Sequence, residues 1–270
     1  MDQTREQMQF IIHFVHHEKT VAASEEICAA LLGYDLAVLR EIKAGFARDV
    51  HQAAIDLLAE PSFASAVDRL PFAPGSCVVG LGDSITDDYT SWLEILREVL
   101  ALRRPGDAIR VVNAGVSGNT TTEVLARFLD VANLKPDWII TMLGTNDARL
   151  HGLHPTKTLV SLEETARNYH ALRAFAASQT QARWCWMTPT PVIPAQIAAH
   201  WFLSQGQLMW QNEELRARAS ILLGLPDPVV DLLSAFTPLD PALLLDDGLH
   251  PALAGQKLIL RTLVEKLATC

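Results

Sequence analysis

The chain has few cysteines, no long apolar run and a shortage of basic side chains. Its cysteines are far apart and include no Cys-x-x-Cys pair; they are Cys28, Cys77, Cys185 and Cys270. This spacing argues against a zinc ribbon, a redox motif and a disulfide framework, so we expect small buried or terminal thiols. No apolar stretch approaches the length of a membrane span, and the polar N-terminal segment does not resemble a signal peptide. These features together predict a cytoplasmic protein.

The charge balance limits the possible partners. Lys and Arg total 22 against 31 Asp and Glu, and the formal net charge is -9. Nucleic-acid backbones and anionic membrane surfaces are bound by clustered basic side chains, so we expect neither as a partner. The negative net charge is compatible with neutral or cationic small molecules as ligands.

Three common site motifs are missing as well. The chain has no Gly-x-Ser-x-Gly elbow and no phosphate-binding Gly-x-x-x-x-Gly-Lys loop. Gly80 and Gly82 begin like a dinucleotide fingerprint, but Ile85 stands where its third glycine would be. The sequence therefore predicts no cofactor.

What is present is an ordinary globular composition in two parts. The chain has 270 residues, 49% of them hydrophobic, which suits one large domain or a domain with a small appendage. Helical spacing of apolar residues runs through the first seventy or so positions, with Ser24 as a plausible helix start. Pro61 and a Pro- and Gly-containing segment at 70–75 end this part. We predict a helical N-terminal region over residues 1–74 and a second domain over 75–270.

Strands and helices alternate in the second part. Short apolar runs predict strands at 77–81, 109–112, 138–143, 184–187 and 229–232. Helical patterns between and after them cover 92–102, 123–134, 162–177, 207–223 and 253–267. This order indicates an α/β fold, with a parallel sheet covered by helices on both faces. Ligands bind such sheets at the carboxyl ends of the strands.

A serine follows the first predicted strand. Ser84 lies in the segment Gly-Asp-Ser-Ile-Thr at 82–86, where a neighbouring glycine permits a tight turn that presents the hydroxyl to solvent. Such turns are common, so this motif alone does not define a site.

The loops after the second and third strands carry hydrogen-bond donors. Segment 113–121 has two glycines and leads into a helix, with Thr120 or Thr121 as its cap and free amides at its start. Asn146 follows the third strand and can aim its side-chain amide at an oxyanion, while Asp147 can accept from nearby backbone amides.

An acid and a base precede the last predicted helix. Asp247 and His250 are three residues apart, so the carboxylate can hold one imidazole nitrogen while the other faces outward. A serine hydroxyl needs such a base because it is a poor nucleophile at neutral pH. Asp246 would have to reach across one more residue, so we predict Asp247 as the partner of His250.

Together, four segments resemble the sequence blocks of the SGNH hydrolase superfamily, the GDSL-type esterases and lipases: 82–86, 113–121, 144–147 and 247–250. The resemblance runs from residue 76 to residue 268 and leaves the N-terminal region out. It implies a flavodoxin-like three-layer α/β/α sandwich around a parallel five-stranded sheet.

The resemblance also implies the chemistry. Ser84 would be the nucleophile, His250 the general base and acid, and Asp247 its orienting partner. The oxyanion hole would consist of the backbone amides of Ser84 and Gly118 and the side-chain amide of Asn146. The expected activity is metal-independent hydrolysis of a small or medium carboxylic ester through an acyl-enzyme.

Other interpretations remain at this stage. His151 and His154 with Asp247 and His250 could bind zinc, but Ser84 and the donors would then have no role. A degenerate module that binds a ligand without catalysis is a second possibility, and the intact set of residue types argues against it. Carbohydrate O-deacetylases, thioesterases and lysophospholipases share the implied fold, and the sequence does not choose among them.

Two regions outside the motifs also carry predictions. His13, His16 and His17 share one side of a helix, and we expect surface histidines rather than a metal site. The N-terminal region has more acidic than basic side chains, which favours a cap over the site or self-association rather than DNA binding. The aromatic segment 198–210 is either an acyl-binding wall or lid, or a core helix. The oligomeric state is left open.

Overall fold

The computed structural model describes residues 4–14, 16, 23–152 and 154–269. The helices are α1 (Arg5–Phe14), α2 (Glu25–Leu32), α3 (Leu36–Leu58), α4 (Pro61–Asp68), α5 (Ser84–Asp87), α6 (Trp92–Arg103), α7 (Thr121–Ala126), α8 (Phe128–Asn133), α9 (Leu162–Gln179), α10 (Pro194–Ala199), α11 (Asn212–Leu223), α12 (Leu232–Ala235) and α13 (Leu253–Leu267). The strands are β1 (Cys77–Gly82), β2 (Arg110–Gly115), β3 (Trp138–Met142), β4 (Leu150–His151), β5 (His154–Thr158), β6 (Arg183–Met187), β7 (Leu208–Met209) and β8 (Val229–Val230).

Five parallel strands form the central sheet, in the order β2-β1-β3-β6-β8. Counted along the chain, this is the 2-1-3-4-5 order of flavodoxin-like folds. Every residue of β1 and β3 is buried, because helices cover both faces and leave no alternation of polar and apolar positions. The predicted fold class and the five-stranded parallel sheet are confirmed.

Each face of the sheet has its own core. One contains Trp92 and Leu96 of α6 with Ile259 and Leu263 of α13. The other contains Phe128 of α8 with residues of α7, α9 and α11. The sheet is thus the middle layer of three.

The N-terminal helices pack in two ways. Apolar residues of α1, α2 and the first half of α3 form a small cluster around Ile12 and Leu39. From Val50 onward, α3 and α4 share the core of α6 and α13. The second half of this region is therefore continuous with the core beside the sheet.

Two predicted helices differ from the structure. The helix expected over 207–223 begins at Asn212, because Leu208–Met209 pairs with Leu150–His151 in a small antiparallel sheet that the sequence did not predict. The helix expected over 123–134 begins two residues earlier and is divided at Arg127 into α7 and α8. Thr120 caps α7, and its backbone N–H and hydroxyl both donate to Glu123.

The structure also bears on the cysteines and on the length of the apolar segments. Cys28, Cys77 and Cys185 are buried as expected, while Cys270 lies outside the described residues. In the described part of the chain, no helix combines the length and the apolar character needed to cross a membrane.

Candidate active site

Ser84 is the first residue of the short helix α5, directly after β1. The Asp83 side chain caps this helix by accepting from the Ile85 amide at 3.1 Å. Ser84 is only 9% exposed, so the expectation of a hydroxyl presented to solvent is wrong. The reason is that α1 and the loop carrying His250 lie over the turn, as shown by the contacts below.

Ser84, His250 and Asp247 form one chain of hydrogen bonds. The Ser84 hydroxyl lies 2.9 Å from His250 Nε2, and His250 Nδ1 lies 2.5 Å from Asp247 Oδ2. Both bonds are buried, and Nδ1 donating to the carboxylate leaves Nε2 able to accept the serine proton. The three predicted residues are thus brought together, although 166 positions separate the serine from the histidine.

The loop that carries this acid and base is tightly folded. The second oxygen of Asp247 accepts from the backbone amides of Leu249 and His250, both at 2.9 Å. Gly248 has a φ of +68°, and a Cβ there would lie 2.7 Å from the Ile193 carbonyl oxygen, so no other residue fits without movement. Asp246 is exposed, which agrees with the predicted choice of Asp247.

Charge and burial set the protonation of the pair. Burial lowers the pKa of His250, but the adjacent Asp247 carboxylate and its hydrogen bond outweigh this and leave the pKa above 6.5. Burial raises the pKa of Asp247, but His250 and the two amides that it accepts from leave the pKa below its ordinary value. The arrangement favours a carboxylate beside an imidazole that readily takes up a proton.

A second buried carboxyl lies beside the serine. Asp83 is 1% exposed, and burial raises its pKa to about 7. Its Oδ2 has no hydrogen-bond donor among the described residues. Sequence reasoning assigned this residue no role.

The predicted oxyanion donors stand on the loops at either side of Ser84. Gly118 follows β2 and Asn146 follows β3, and these two strands pair with the two edges of β1. Gly118 has a φ of +84°, which a residue with a side chain rarely adopts. One N–H of the Asn146 amide donates to the Asn119 carbonyl at 3.2 Å, which joins the two loops.

Asp147 connects the loop after β3 to the start of α7 and to α9. It accepts from the Thr121 backbone amide at 3.0 Å, as expected for a turn-bonding aspartate, and also from the hydroxyls of Thr121 and Thr165. Trp210 adds a further bond, since its indole N–H donates to the Thr145 carbonyl at 2.8 Å. The position of Asn146 is therefore fixed by its neighbours on both sides.

Helix α1 covers the site, through contacts of individual side chains that the sequence did not indicate. The Phe14 ring stacks on His250 with centroids 4.0 Å apart, and His13 Nδ1 lies 2.8 Å from Asp88. Just beyond the helix, His16 is 6% exposed and bonds to Asp87 at 2.7 Å. The prediction of surface histidines is wrong for His13 and His16, because both pack on the turn after Ser84; His17 lies outside the described residues. The spacing of these histidines on one helix face was the only sign in the sequence that this face contacts another part of the protein.

The aromatic segment 198–210 is not a single helix. Helix α10 ends at Ala199, turns follow, and β7 lies near the end of the segment. Trp210 is buried, whereas Trp201 and Phe202 contact Phe10 of α1 at ring distances of 6.0 and 5.7 Å. The core-helix alternative is therefore wrong, and part of the segment borders the site.

The zinc alternative has no geometric support in the described side chains, where no group of three or more metal-ligand types could hold an ion. The side chain of His154 lies outside what the structure describes.

Comparisons with known proteins bear on the same residues. The model of the GDSL-like Lipase/Acylhydrolase family matches residues 81–258, well over half of the chain. An acetylxylan esterase from Geobacillus stearothermophilus is 36% identical over 88 residues, which are 27% of this chain and 40% of that esterase. The chain thus spans less than half the length of this curated relative in the match.

Solved structures agree on the fold. An α/β hydrolase enzyme from the metagenome of Lake Arreo, Spain, is 28% identical with a TM-score of 0.55, over 73% of this chain and 96% of that one. The crystal structure of an acetylxylan esterase from Geobacillus stearothermophilus is 24% identical with a TM-score of 0.57, over 73% and 95%. Fold and family match place the chain among the ester-hydrolysing enzymes. It belongs to the GDSL-like lipase/acylhydrolase family, which confirms the resemblance to the SGNH hydrolases.

Proposed function

We propose that the protein is a serine esterase that acts through an acyl-enzyme on Ser84. The observation that carries the proposal is the buried hydrogen-bond chain from Ser84 through His250 to Asp247. His250 Nε2 takes the serine proton as Oγ forms a bond to the ester carbonyl carbon. The same nitrogen then returns the proton to the alcohol oxygen as the carbon–oxygen bond of the ester breaks. Water then attacks the carbonyl carbon of the acyl-enzyme while His250 Nε2 takes its proton. The bond between that carbon and Ser84 Oγ breaks, Oγ receives the proton, and the acid is released.

The oxyanion donors complete the proposed mechanism. Negative charge develops on the carbonyl oxygen as Ser84 attacks, and it needs hydrogen-bond donors that are already in place. We assign this role to the backbone amides of Ser84 and Gly118 and to the Asn146 side-chain amide. Support comes from the strand order, which sets the two donor loops at either side of the serine, and from the bonds that fix Asn146.

The N-terminal region has a proposed role as well. We divide the chain into a helical region over 1–74 and a hydrolase domain over 75–270, and we assign the region as a cap on the site. The stack of Phe14 on His250 and the bond of His16 to Asp87 support this role.

Labelling with a fluorophosphonate tests the mechanism. The reagent bonds covalently only to an activated serine, so intact-mass analysis should find one adduct on the wild type and none on a folded Ser84→Ala variant. Ester hydrolysis should be absent in that variant. In the wild type it should continue in the presence of a strong chelator. Near-wild-type turnover by Ser84→Ala would overturn the assignment, and loss on chelation with recovery on added zinc would favour the metal alternative.

Acetyl esters of carbohydrates are a more specific candidate for the substrate class. The segment matched at 36% identity belongs to an acetylxylan esterase. Activity on acetylated xylo-oligosaccharides, measured beside 4-nitrophenyl esters of increasing acyl length, tests it. Preference for long acyl chains and no acetate release from the sugars would exclude this substrate class.

A further inference from the structure

Helix α1 places two aromatic rings against the proposed general base. Phe14 stacks on the His250 imidazole with an interplanar angle of 23° and centroids 4.0 Å apart. The Phe10 ring lies one turn earlier, with its centroid 6.4 Å from that of His250. The residues belong to the part of the chain that the family model does not match, so the contact is not explained by the family.

Two histidine–aspartate bonds fix this helix on the turn after Ser84. His13 bonds to Asp88, whose same oxygen also accepts from the Thr90 backbone amide and hydroxyl. His16 bonds to Asp87 with both side chains only 2% exposed. The position of Phe14 between these two histidines is therefore set by buried polar contacts, not by the aromatic packing alone.

The mechanism determines which part of an ester lies nearest to Phe14. The proton that His250 receives from Ser84 goes to the oxygen of the departing alcohol, so this oxygen must lie beside the imidazole. The carbonyl oxygen lies on the other side, toward the proposed donors on the β2 and β3 loops. A side chain in contact with the His250 ring thus borders the alcohol part of the substrate.

We propose that Phe14 is a specificity-determining residue that, with Phe10, forms the wall against which the alcohol part of the ester packs. The inference rests on the proposed function and adds the substrate class: esters whose alcohol presents a flat apolar face. Aromatic rings favour such faces through stacked and edge contacts. Trp201 extends the wall, since its ring centroid lies 6.0 Å from that of Phe10.

A cavity adjoins the wall at Phe10 and Trp201 and limits the charge of the alcohol. Its volume is about 550 Å³, and the rings that line it belong to Phe10, His13, His200 and Trp201. The carboxylates of Glu6, Asp246 and Asp247 also line it, and no Lys or Arg lines it among the residues that the structure describes. The cavity therefore suits a neutral or cationic alcohol and disfavours an anionic one.

Two ester series test the proposal. In the first, the acyl group is acetyl and the alcohol grows from ethanol through phenol to 2-naphthol; in the second, the alcohol is 4-nitrophenol and the acyl group grows from acetyl to octanoyl. For each ester, kcat/KM of Phe14→Ala is divided by the wild-type value, so that the intrinsic reactivity of the ester cancels. We expect this ratio to fall by about fivefold to tenfold from ethyl to 2-naphthyl acetate. Across the acyl series it should stay constant within about twofold.

Controls separate recognition from folding. Phe14→Leu keeps an apolar residue for packing α1 but removes the flat ring, so it should reproduce the change in the alcohol series with little change in Tm. Met8→Ala alters the same helix on the side that packs against the α1–α3 cluster, and it should leave both series unchanged. Wild-type kcat/KM for 4-acetoxybenzenesulfonate should lie about tenfold below that for phenyl acetate.

The outcomes distinguish this inference from the proposed function. A wild type that takes no fluorophosphonate label and cleaves no ester contradicts the proposed function. An active wild type with flat ratios in both series, with a change in the acyl series only, or with a gain for 2-naphthyl acetate in Phe14→Ala, contradicts the role of Phe14. Equal turnover of the sulfonate and phenyl acetate contradicts the charge preference.

Discussion

His16 and Asp87 are joined by a buried hydrogen bond of 2.7 Å that connects the N-terminal region to the turn after Ser84. The other oxygen of Asp87 accepts from the backbone amide and the hydroxyl of Ser117, both at 2.9 Å. Ser117 directly precedes Gly118, one of the proposed oxyanion donors. A single carboxylate thus links the cap, the nucleophile turn and the donor loop.

His16→Ala should destabilise the protein by about 1–3 kcal/mol, because it removes a buried hydrogen bond between the cap and Asp87. Chemical denaturation measures this change. His13→Ala is the matched control: its side chain is 15% exposed against 2% for His16, and Asp88 keeps both bonds from Thr90. A larger loss for His13→Ala than for His16→Ala would show that the bond to Asp87 is not the main anchor of α1.

Asn146→Ala should lower kcat by roughly 10²–10³ with little change in KM, because the amide acts on charge that exists only in the transition state. Steady-state kinetics on 4-nitrophenyl acetate separate the two parameters. Trp210→Phe is a useful companion, since it removes the bond to the Thr145 carbonyl and part of a buried ring but keeps the Asn146 amide, and it should lower kcat much less. A rise in KM at constant kcat would mean that Asn146 binds the ground state.

Asp247→Asn should reduce kcat/KM far more than Asp246→Asn, by up to about 10⁴, because the imidazole then loses the carboxylate that fixes its tautomer. Asp247 is buried against His250, whereas Asp246 is exposed. A greater loss from Asp246→Asn would show that the wrong carboxylate has been paired with the base.

The same pair determines the pH dependence. Only a neutral imidazole accepts the serine proton, and the pKa of His250 is raised above 6.5. The acidic fall in wild-type kcat/KM should therefore be centred above pH 6.5, and in Asp247→Asn it should move to lower pH with the loss of the negative charge. An unchanged midpoint in that variant would contradict the electrostatic role of Asp247.

Asp83→Asn should become more stable relative to the wild type as pH rises. Burial raises the pKa of Asp83 from 3.8 to about 7, so between these values the folded state binds more protons than the unfolded state, and stability falls with increasing pH. Asparagine can still accept from the Ile85 amide but does not ionise. The Tm difference between variant and wild type should therefore shift by roughly 5 °C in favour of the variant from pH 4 to pH 8. A difference independent of pH would show that folding does not raise the pKa of Asp83.

The fold and the candidate site could largely be predicted because their signals are local. Buried runs such as residues 138–142 reveal strands that are covered on both faces, and Asp247 and His250 are close enough in sequence for one turn of chain to join them. The choice of Asp247 over Asp246 followed from its three-residue separation from the histidine, which matches the pattern of the family that the sequence resembles.

The sequence left a cap and self-association both open for the N-terminal region, and the contacts of the cap could not be predicted because they are made between distant segments. Nothing in the residues around Phe14 shows that the ring will lie on His250, and the helical spacing of His13 and His16 is also that of a solvated face. Likewise, Leu208 and Met209 are as suitable for a helix as for a strand, and pairing with Leu150 and His151 decides the outcome. Tertiary contacts override local preference at these positions.

The stack of Phe14 on His250 also concerns the order in which the molecule can become active. Its two rings come from opposite ends of the chain, and the bond from Ser84 to His250 closes a loop of 166 residues. Domains emerge from the ribosome N-terminal part first. Helix α1 and the turn at Ser84 are therefore synthesised long before Asp247 and His250. On the proposed mechanism hydrolysis requires His250, so we expect no activity from a translation product that ends before residue 250.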